Sequence, residues 1–457
     1  MRPAREAAGG PPICVLKGGA PIKARIELAS GAEALHNGRK AMVRWGEIMR
    51  ASIITTAFIA GMACAMPLAA AQSASPPASG AEVRSLDEVK AEVMRRAGKI
   101  NPFDSVKPEE AKQILDQIKT LDKDEWAREW CKVGLVYEAK GDELVKKGAP
   151  AQEIADTFHH GFHYCMLGRY PSPTSPGKLE SYQHSMRLFR KAAQHFDPPL
   201  QIVETPFEGK KLIGYLQIPK GVTRPPVVIN WGGVDSWKED RVRTVNRMLS
   251  AGLAVLSVDM PGTGENPVLY NDPLGPKTYS TWIDYLNTRA DVDGSRIGVW
   301  GLSFGGYWAA RMAYEEPARI KGAVFHGGNA HIGFQSSWLT PAFTTGGATY
   351  LFGAASLLDA RGRAMGTTSM EEFLEAAPKM SLVSLGLIDK PSAPILGVNG
   401  KLDDQAPAAD ILLLMEHGSP KTARIYPKGY HMGRTAGMDE NEIPNMIIGW
   451  LKERLAK

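Results

Sequence analysis

Cysteine is scarce in this chain of 457 residues. There are four in all, and two of them, Cys14 and Cys64, fall within the first 71 positions. At most one bridge, between Cys131 and Cys165, is open to the rest. The sequence leaves that pair undecided between a bridge and two buried thiols, because bridging needs a geometry that spacing does not give. An excess of charge of one sign is lacking too. The formal net charge is +5, but nine basic and four acidic residues lie in positions 1–71, and the remainder carries 45 of each. A body without net charge gives no ground for a nucleic-acid partner. No repeat of 20–50 residues is present, which excludes a solenoid or propeller. Two further absences bear on cofactors. Asp259-Met260-Pro261-Gly262-Thr263-Gly264 ends an apolar run but lacks the third glycine of a dinucleotide fingerprint. His159 and His163 have the i, i+4 spacing of metal ligands, but no third ligand is placed to complete a set, and His160 points elsewhere on the helix. Neither a cofactor nor a metal is expected.

The apolar run that comes nearest to a membrane span is 51–65. It follows Met49-Arg50 and precedes Ala69-Ala70-Ala71-Gln72. A positive start, a short apolar stretch and a small-residue cleavage site make 49–71 an export signal. Ser52, Thr55 and Thr56 weaken it as an anchor, so no stable membrane span is expected after cleavage. Residues 1–48 then precede the signal and are read as an untranslated or disordered extension, with translation beginning at Met42 or Met49. The expected location is periplasmic or secreted, where disulfides persist.

Residues 72–84 are a Ser/Ala/Pro linker by composition. From 85 to 198 apolar residues recur at helical spacing, over 86–97, 108–121, 126–147, 151–167 and 179–195. Gly and Pro clusters at 148–150 and 171–177 separate them. From 199 to 457 short apolar runs take over, at 212–218, 227–231, 254–258, 297–300, 323–326, 395–398 and 423–426, most of them separated by helical stretches. Alternation of this kind predicts an α/β fold: a mostly parallel sheet with helices on both faces. Residues 331–390 interrupt it and are expected to form a lid over a site at the sheet edge.

The run Ile297–Trp300 leads into Gly301-Leu302-Ser303-Phe304-Gly305 and then into a helix-forming stretch at 308–314. Gly-x-Ser-x-Gly on a strand-to-helix turn exposes a serine hydroxyl at the top of a parallel sheet. Its expected partners follow in the order acid, then histidine. Asp403 lies just past the run 395–398, with Asp404 as competitor, and His431 lies in the Gly-flanked loop after the run 423–426. In these roles His431 takes the Ser303 proton and returns it to the leaving group, while Asp403 fixes the imidazole tautomer. The oxyanion requires backbone donors. Phe304 N–H is one candidate, and Val234, with Gly233 next, the other, with a plain turn at Gly232-Gly233 the less favoured reading. Trp231, Asp235, Tyr307, His326 and His331 are candidates for the substrate pocket. For His326 and His331 a packing role weighs as much, and aromatic residues are as often core as pocket.

Asn230-Trp231-Gly232-Gly233-Val234-Asp235-Ser236-Trp237-Lys238-Glu239-Asp240, Asp259-Met260-Pro261-Gly262 and Gly301-Leu302-Ser303-Phe304-Gly305-Gly306-Tyr307, with the helical block before them, resemble α/β-hydrolases of the fermentation-respiration-switch-protein type. That group includes 2,6-dihydroxypseudooxynicotine hydrolase. The resemblance spans about residues 150–455. It implies an α/β-hydrolase fold with an all-helical N-terminal segment over the active-site mouth, a contribution of that segment to a homodimer, and Ser303, Asp403 and His431 in the triad positions. Members cleave esters or the carbon–carbon bonds of β-diketone-like compounds. The nicotine-pathway enzyme uses a further acid after the nucleophile strands, and residues 325–335 here hold none, only His326 and His331. Hydrolysis of an ester of a small or medium organic molecule is therefore the first expectation, carbon–carbon cleavage the alternative, and a peptidase or a non-catalytic binding protein less favoured still.

Overall fold

The computed structural model describes residues 84–344, 350–417 and 421–456. The extension at 1–48, the export signal at 49–71 and all but the last residue of the linker lie outside the described residues. Among those described, no helix is long and apolar enough to cross a membrane.

The described residues begin with five helices: α1 (Leu86–Arg96), α2 (Pro108–Gln117), α3 (Lys123–Lys146), α4 (Ala151–Arg169) and α5 (Pro176–Ala193). Their starts are set locally. Ser85 and Glu88 form a capping box at α1, Asp122 accepts from the N–H groups of Asp124 and Glu125 at α3, and Ser175 precedes Pro176 at α5. Helices α3 and α4 approach closely because both carry glycine at the crossing. A Cβ on Gly134 would stand 2.7 Å from the Gly161 carbonyl oxygen. That approach brings Cys131 of α3 to Cys165 of α4, and the two form a disulfide. The block has its own core, with Trp126, Trp130, Phe158, Phe162 and Leu188 among its buried side chains.

Eight strands follow: β1 (Leu200–Phe207), β2 (Lys210–Gln217), β3 (Pro226–Trp231), β4 (Ala254–Val258), β5 (Asp293–Leu302), β6 (Ile320–His326), β7 (Ile395–Gly400) and β8 (Lys421–Tyr426). They form one sheet in the order β1-β2-β4-β3-β5-β6-β7-β8. The β1–β2 and β2–β4 pairs are antiparallel and the rest parallel. Interspersed are α6 (Val242–Ser250), α7 (Gly275–Asn287), α8 (Gly306–Glu315), α9 (Ser336–Thr344), α10 (Ala354–Met365), α11 (Met370–Ala376), α12 (Ala409–Glu416) and α13 (Glu442–Leu455). Side chains alternate across the strands. Val228, Val255, Trp300, Val324 and Leu396 pack with α6 and α13. Val227, Ile229, Leu256, Val299, Ala323 and Phe325 pack with α7, α8 and α12 on the other face.

Parallel register aligns the strand ends. Trp231 pairs with Gly301, Leu302 with His326, His326 with Val398, and Gly400 with Tyr426. The loops leaving β3, β5, β6, β7 and β8 therefore emerge along one edge. Helices α9, α10 and α11 make up the stretch between β6 and β7, and they reach the helical block. Lys123 bonds Asp359 at 2.6 Å, and Trp126 meets Phe352 edge-on at 4.9 Å.

Candidate active site

Ser303 follows β5 and opens the turn into α8. Its φ is 53°, the left-handed region that costs a non-glycine residue energy and survives only where the surroundings impose it. The surroundings are glycines. A Cβ on Gly301 would stand 2.3 Å from the Gly305 carbonyl oxygen, and one on Gly305 would stand 2.1 Å from the Gly232 carbonyl oxygen. The turn can be this tight only without side chains at 301 and 305.

His431 reaches Ser303, and Asp403 reaches it through His431. His431 Nε2 lies 2.8 Å from Ser303 Oγ, and His431 Nδ1 lies 2.8 Å from Asp403 Oδ2. The other Asp403 oxygen accepts the N–H groups of Gln405 at 2.8 Å and Ala406 at 3.1 Å. Burial alone would raise the Asp403 carboxyl. The neighbouring His431 and these N–H donors outweigh it and hold the group below the ordinary carboxylate range. An ionised Asp403 fixes the proton of His431 on Nδ1, which leaves Nε2 free to accept from the serine hydroxyl.

Opposite the serine lies the loop after β3. A Cβ on Gly233 would stand 2.8 Å from Ser303 Cβ and 3.1 Å from Oγ, so the bare backbone of this loop sits against the serine. Phe304 opens the first turn of the following helix, where N–H groups have no intrahelical partner. Gly233 and Phe304 therefore set backbone beside the serine, and Val234 follows Gly233 in the chain. The β3 loop is anchored from two sides. Arg169 at the end of α4 bonds the Asp235 carbonyl at 3.1 Å and stacks on the Trp237 ring. Lys238, wholly buried, holds Asp259, Glu239 and Glu265 at 2.7–2.8 Å.

The other sequence candidates fall in different places. Asp235 accepts from the Tyr170 hydroxyl at 3.1 Å, which ties the loop to the helical block. His331 Nδ1 lies 2.7 Å from Ser381 Oγ, inside the insertion. Trp231 and Tyr307, candidates for the pocket, are core instead. Trp231 is fully buried, donates to the Gly305 carbonyl at 2.7 Å and fills the space that glycines 301 and 305 leave behind the elbow. Tyr307 is fully buried, with its hydroxyl on Arg311 and its ring against Phe334.

His326 is packed rather than pocket-lining. It is 5% exposed, takes the Trp300 indole N–H on Nδ1 at 3.4 Å and donates from Nε2 to the Met432 carbonyl at 2.9 Å. Asn399 Oδ1 accepts the Met432 N–H at 3.0 Å. Met432, the residue after His431, has φ 61°, and both of its backbone groups are thus held by buried side chains. Burial drives the His326 pKa down to about 3, with the charges of Arg434 and Arg241 in the same direction, so the ring is neutral. Sequence reading also missed Asn399, Arg361 and Asp410. The Asp410 carboxylate takes four N–H groups, of Ala330, His331, Ile332 and Gly333, and pins the start of the insertion. Only chain partners distant in sequence define these roles, and local pattern carries no sign of them.

The described sheet, its helices and its loop edge define a hydrolase of the α/β-hydrolase type. Within that class, the profile of the FrsA-like esterase family matches residues 83–419, and the chain belongs to that family. It is similar to the Esterase FrsA of Photobacterium profundum, 25% identical over 362 residues, covering 75% of this chain and 80% of that one. Among solved structures the fold resembles 2,6-dihydroxy-pseudo-oxynicotine hydrolase, with TM-score 0.65 and 21% identity over 77% of this chain and 94% of that one. It also resembles AbyA5, with TM-score 0.60 and 21% identity over 82% and 99%.

Proposed function

We propose that the protein is a serine hydrolase that cleaves a carboxylic ester of a small to medium organic molecule through an acyl-enzyme. The observation that carries this is the continuous relay Asp403–His431–Ser303, with both contacts at 2.8 Å, on a serine held at positive φ. Ser303 Oγ attacks the ester carbonyl as its proton passes to His431 Nε2. The oxyanion is met by N–H groups of Phe304 and of the Gly233–Val234 backbone. His431 then returns the proton to the departing alcohol, and water repeats the sequence to release the acid. Membership of the FrsA-like esterase family, with a curated relative named as an esterase, supports this bond over a carbon–carbon bond. Turnover of p-nitrophenyl esters by the wild type, with loss of at least ~10⁴-fold in kcat for Ser303→Ala, is the expected result. Undiminished turnover by Ser303→Ala would refute it.

We further propose that the protein is exported. The support is the signal-like segment 49–71 together with the Cys131–Cys165 disulfide, a bond that persists in oxidising compartments. Cell fractionation with N-terminal sequencing of the mature chain tests this. A mature N-terminus at Gln72 is expected, and an uncleaved chain in the cytosol would contradict it.

A further inference from the structure

One cation near the relay has no use in the steps above. Arg361 lies on α10, in the insertion, and is 2% exposed. Its guanidinium stacks 5.1 Å over the ring of Phe304, the residue after the nucleophile, and 5.8 Å from that of Phe343. Nη2 donates to the carbonyl of Gln405, two residues past Asp403. Arg361 therefore bridges the nucleophile elbow and the acid loop. Among the described residues its Nε and Nη1 have no hydrogen-bond partner.

That is an incomplete arrangement. A guanidinium is always charged and offers five N–H bonds in a planar fork, of which Nε and Nη1 carry three. Leaving such a charge buried without an anion is among the more destabilising things a core can contain. Two carboxylates attract it through space, Asp403 and Asp235, but both are already bonded. Asp403 is held by His431, Gln405 and Ala406, and Asp235 by Tyr170. Tyr350, within electrostatic reach of Arg361 and Asp235, is buried, and its hydroxyl too has no partner among the described residues. Ring stacking offsets part of the desolvation of Arg361 but satisfies none of its N–H bonds.

We infer that Arg361 recognises a carboxylate on the substrate, so that the esters this site takes are acidic ones, such as half-esters of dicarboxylic acids. A carboxylate matches the planar fork of the guanidinium and supplies the anion missing from the resting protein. This inference rests on the ester-hydrolase reading above and names the substrate class for it.

The test compares p-nitrophenyl butyrate with the mono-p-nitrophenyl esters of succinic, glutaric and adipic acids, whose chain lengths sample the distance from the reacting carbonyl. At least one half-ester is expected to exceed butyrate in kcat/KM by about 30-fold, the factor that one charge-assisted hydrogen bond supplies. In Arg361→Gln that ratio collapses towards one, and Arg361→Lys, which keeps the charge but not the fork, retains part of it. The same discrimination is read without any variant. The matching free dicarboxylate inhibits wild-type butyrate hydrolysis competitively, and its uncharged diamide does not. Equal inhibition by diacid and diamide, or half-esters no better than butyrate, overturns the inference while leaving ester hydrolysis intact. An equal fall on both substrates in Arg361→Gln assigns the residue to the scaffold and overturns it as well. A wild type inert towards every ester and towards a phosphonate at Ser303 refutes the ester-hydrolase reading itself.

Discussion

Replacing Gly233 by alanine places a single methyl group against the nucleophile. The added Cβ would lie 2.8 Å from Ser303 Cβ, 3.1 Å from Oγ and 3.3 Å from the Leu302 carbonyl oxygen. Ser303 cannot yield, because its backbone is locked at φ 53° between close-packed glycines and its hydroxyl is bonded to His431. The β3 loop has to withdraw instead. Restoring an ordinary contact of 3.4 Å moves it by roughly 0.6 Å at the point of contact. Oxyanion stabilisation depends on donors aimed at the developing charge, and losing one donor costs about 10²–10³ in kcat, or roughly 3–4 kcal/mol. Gly233→Ala is thus expected to lower kcat on p-nitrophenyl butyrate by about 100-fold. KM should stay within a few-fold, because the donor acts mainly on the transition state. Steady-state kinetics beside a thermal melt separates this from unfolding. A kcat within about threefold of the wild type would refute the placement of this backbone in the oxyanion site.

Asp403→Asn should reduce kcat by about 10⁴, since asparagine presents the wrong hydrogen-bond pattern to His431 Nδ1, while Asp404→Asn stays within a few-fold in the same assay. Buried His326, with its pKa near 3 against about 6.5 in the unfolded chain, takes up no proton in the fold between those values. The unfolded chain does, so stability is fully present above about pH 6.5 and declines as pH falls towards 3. The loss from this group alone is about 2 kcal/mol by pH 5. Urea denaturation at pH 7 and pH 5 should show His326→Gln less sensitive to pH than the wild type, and equal sensitivity would contradict the assignment. Removing the Cys131–Cys165 bridge, which spans 34 residues, should cost about 3–4 kcal/mol in the same denaturation assay, with Cys131→Ser/Cys165→Ser compared with wild type.

The parts of the molecule that could be read in advance share a physical cause. Strands β3 to β7 are buried on both faces, so they stand out as unbroken apolar runs between helices. Strand β1 escaped notice because it is the antiparallel edge, where Ile202 and Glu204 face solvent and the apolar run is broken. Ser303, Asp403 and His431 come together because each leaves its own parallel strand at the same edge, and parallel topology converts chain order into proximity. Aromatic residues misled in one direction. Trp231 and Tyr307 adjoin motif glycines and suggested a pocket, but glycine leaves space beneath a tight turn, and large rings fill it. Arg361, Asn399 and Asp410 were illegible for the opposite reason. Each acts on backbone or rings brought near only by folding: Gln405 lies 44 residues from Arg361, Met432 33 from Asn399, and Ala330 80 from Asp410.

The central claim is that Ser303 forms a covalent acyl intermediate. Intact-protein mass spectrometry after acid quenching of a p-nitrophenyl ester reaction tests it most directly. The account predicts an added acyl mass that peptide mapping places on Ser303, absent from Ser303→Ala and accumulating in His431→Ala only far more slowly. An acyl mass on another residue, or full turnover with Ser303 unmodified under conditions that trap the intermediate, would contradict it.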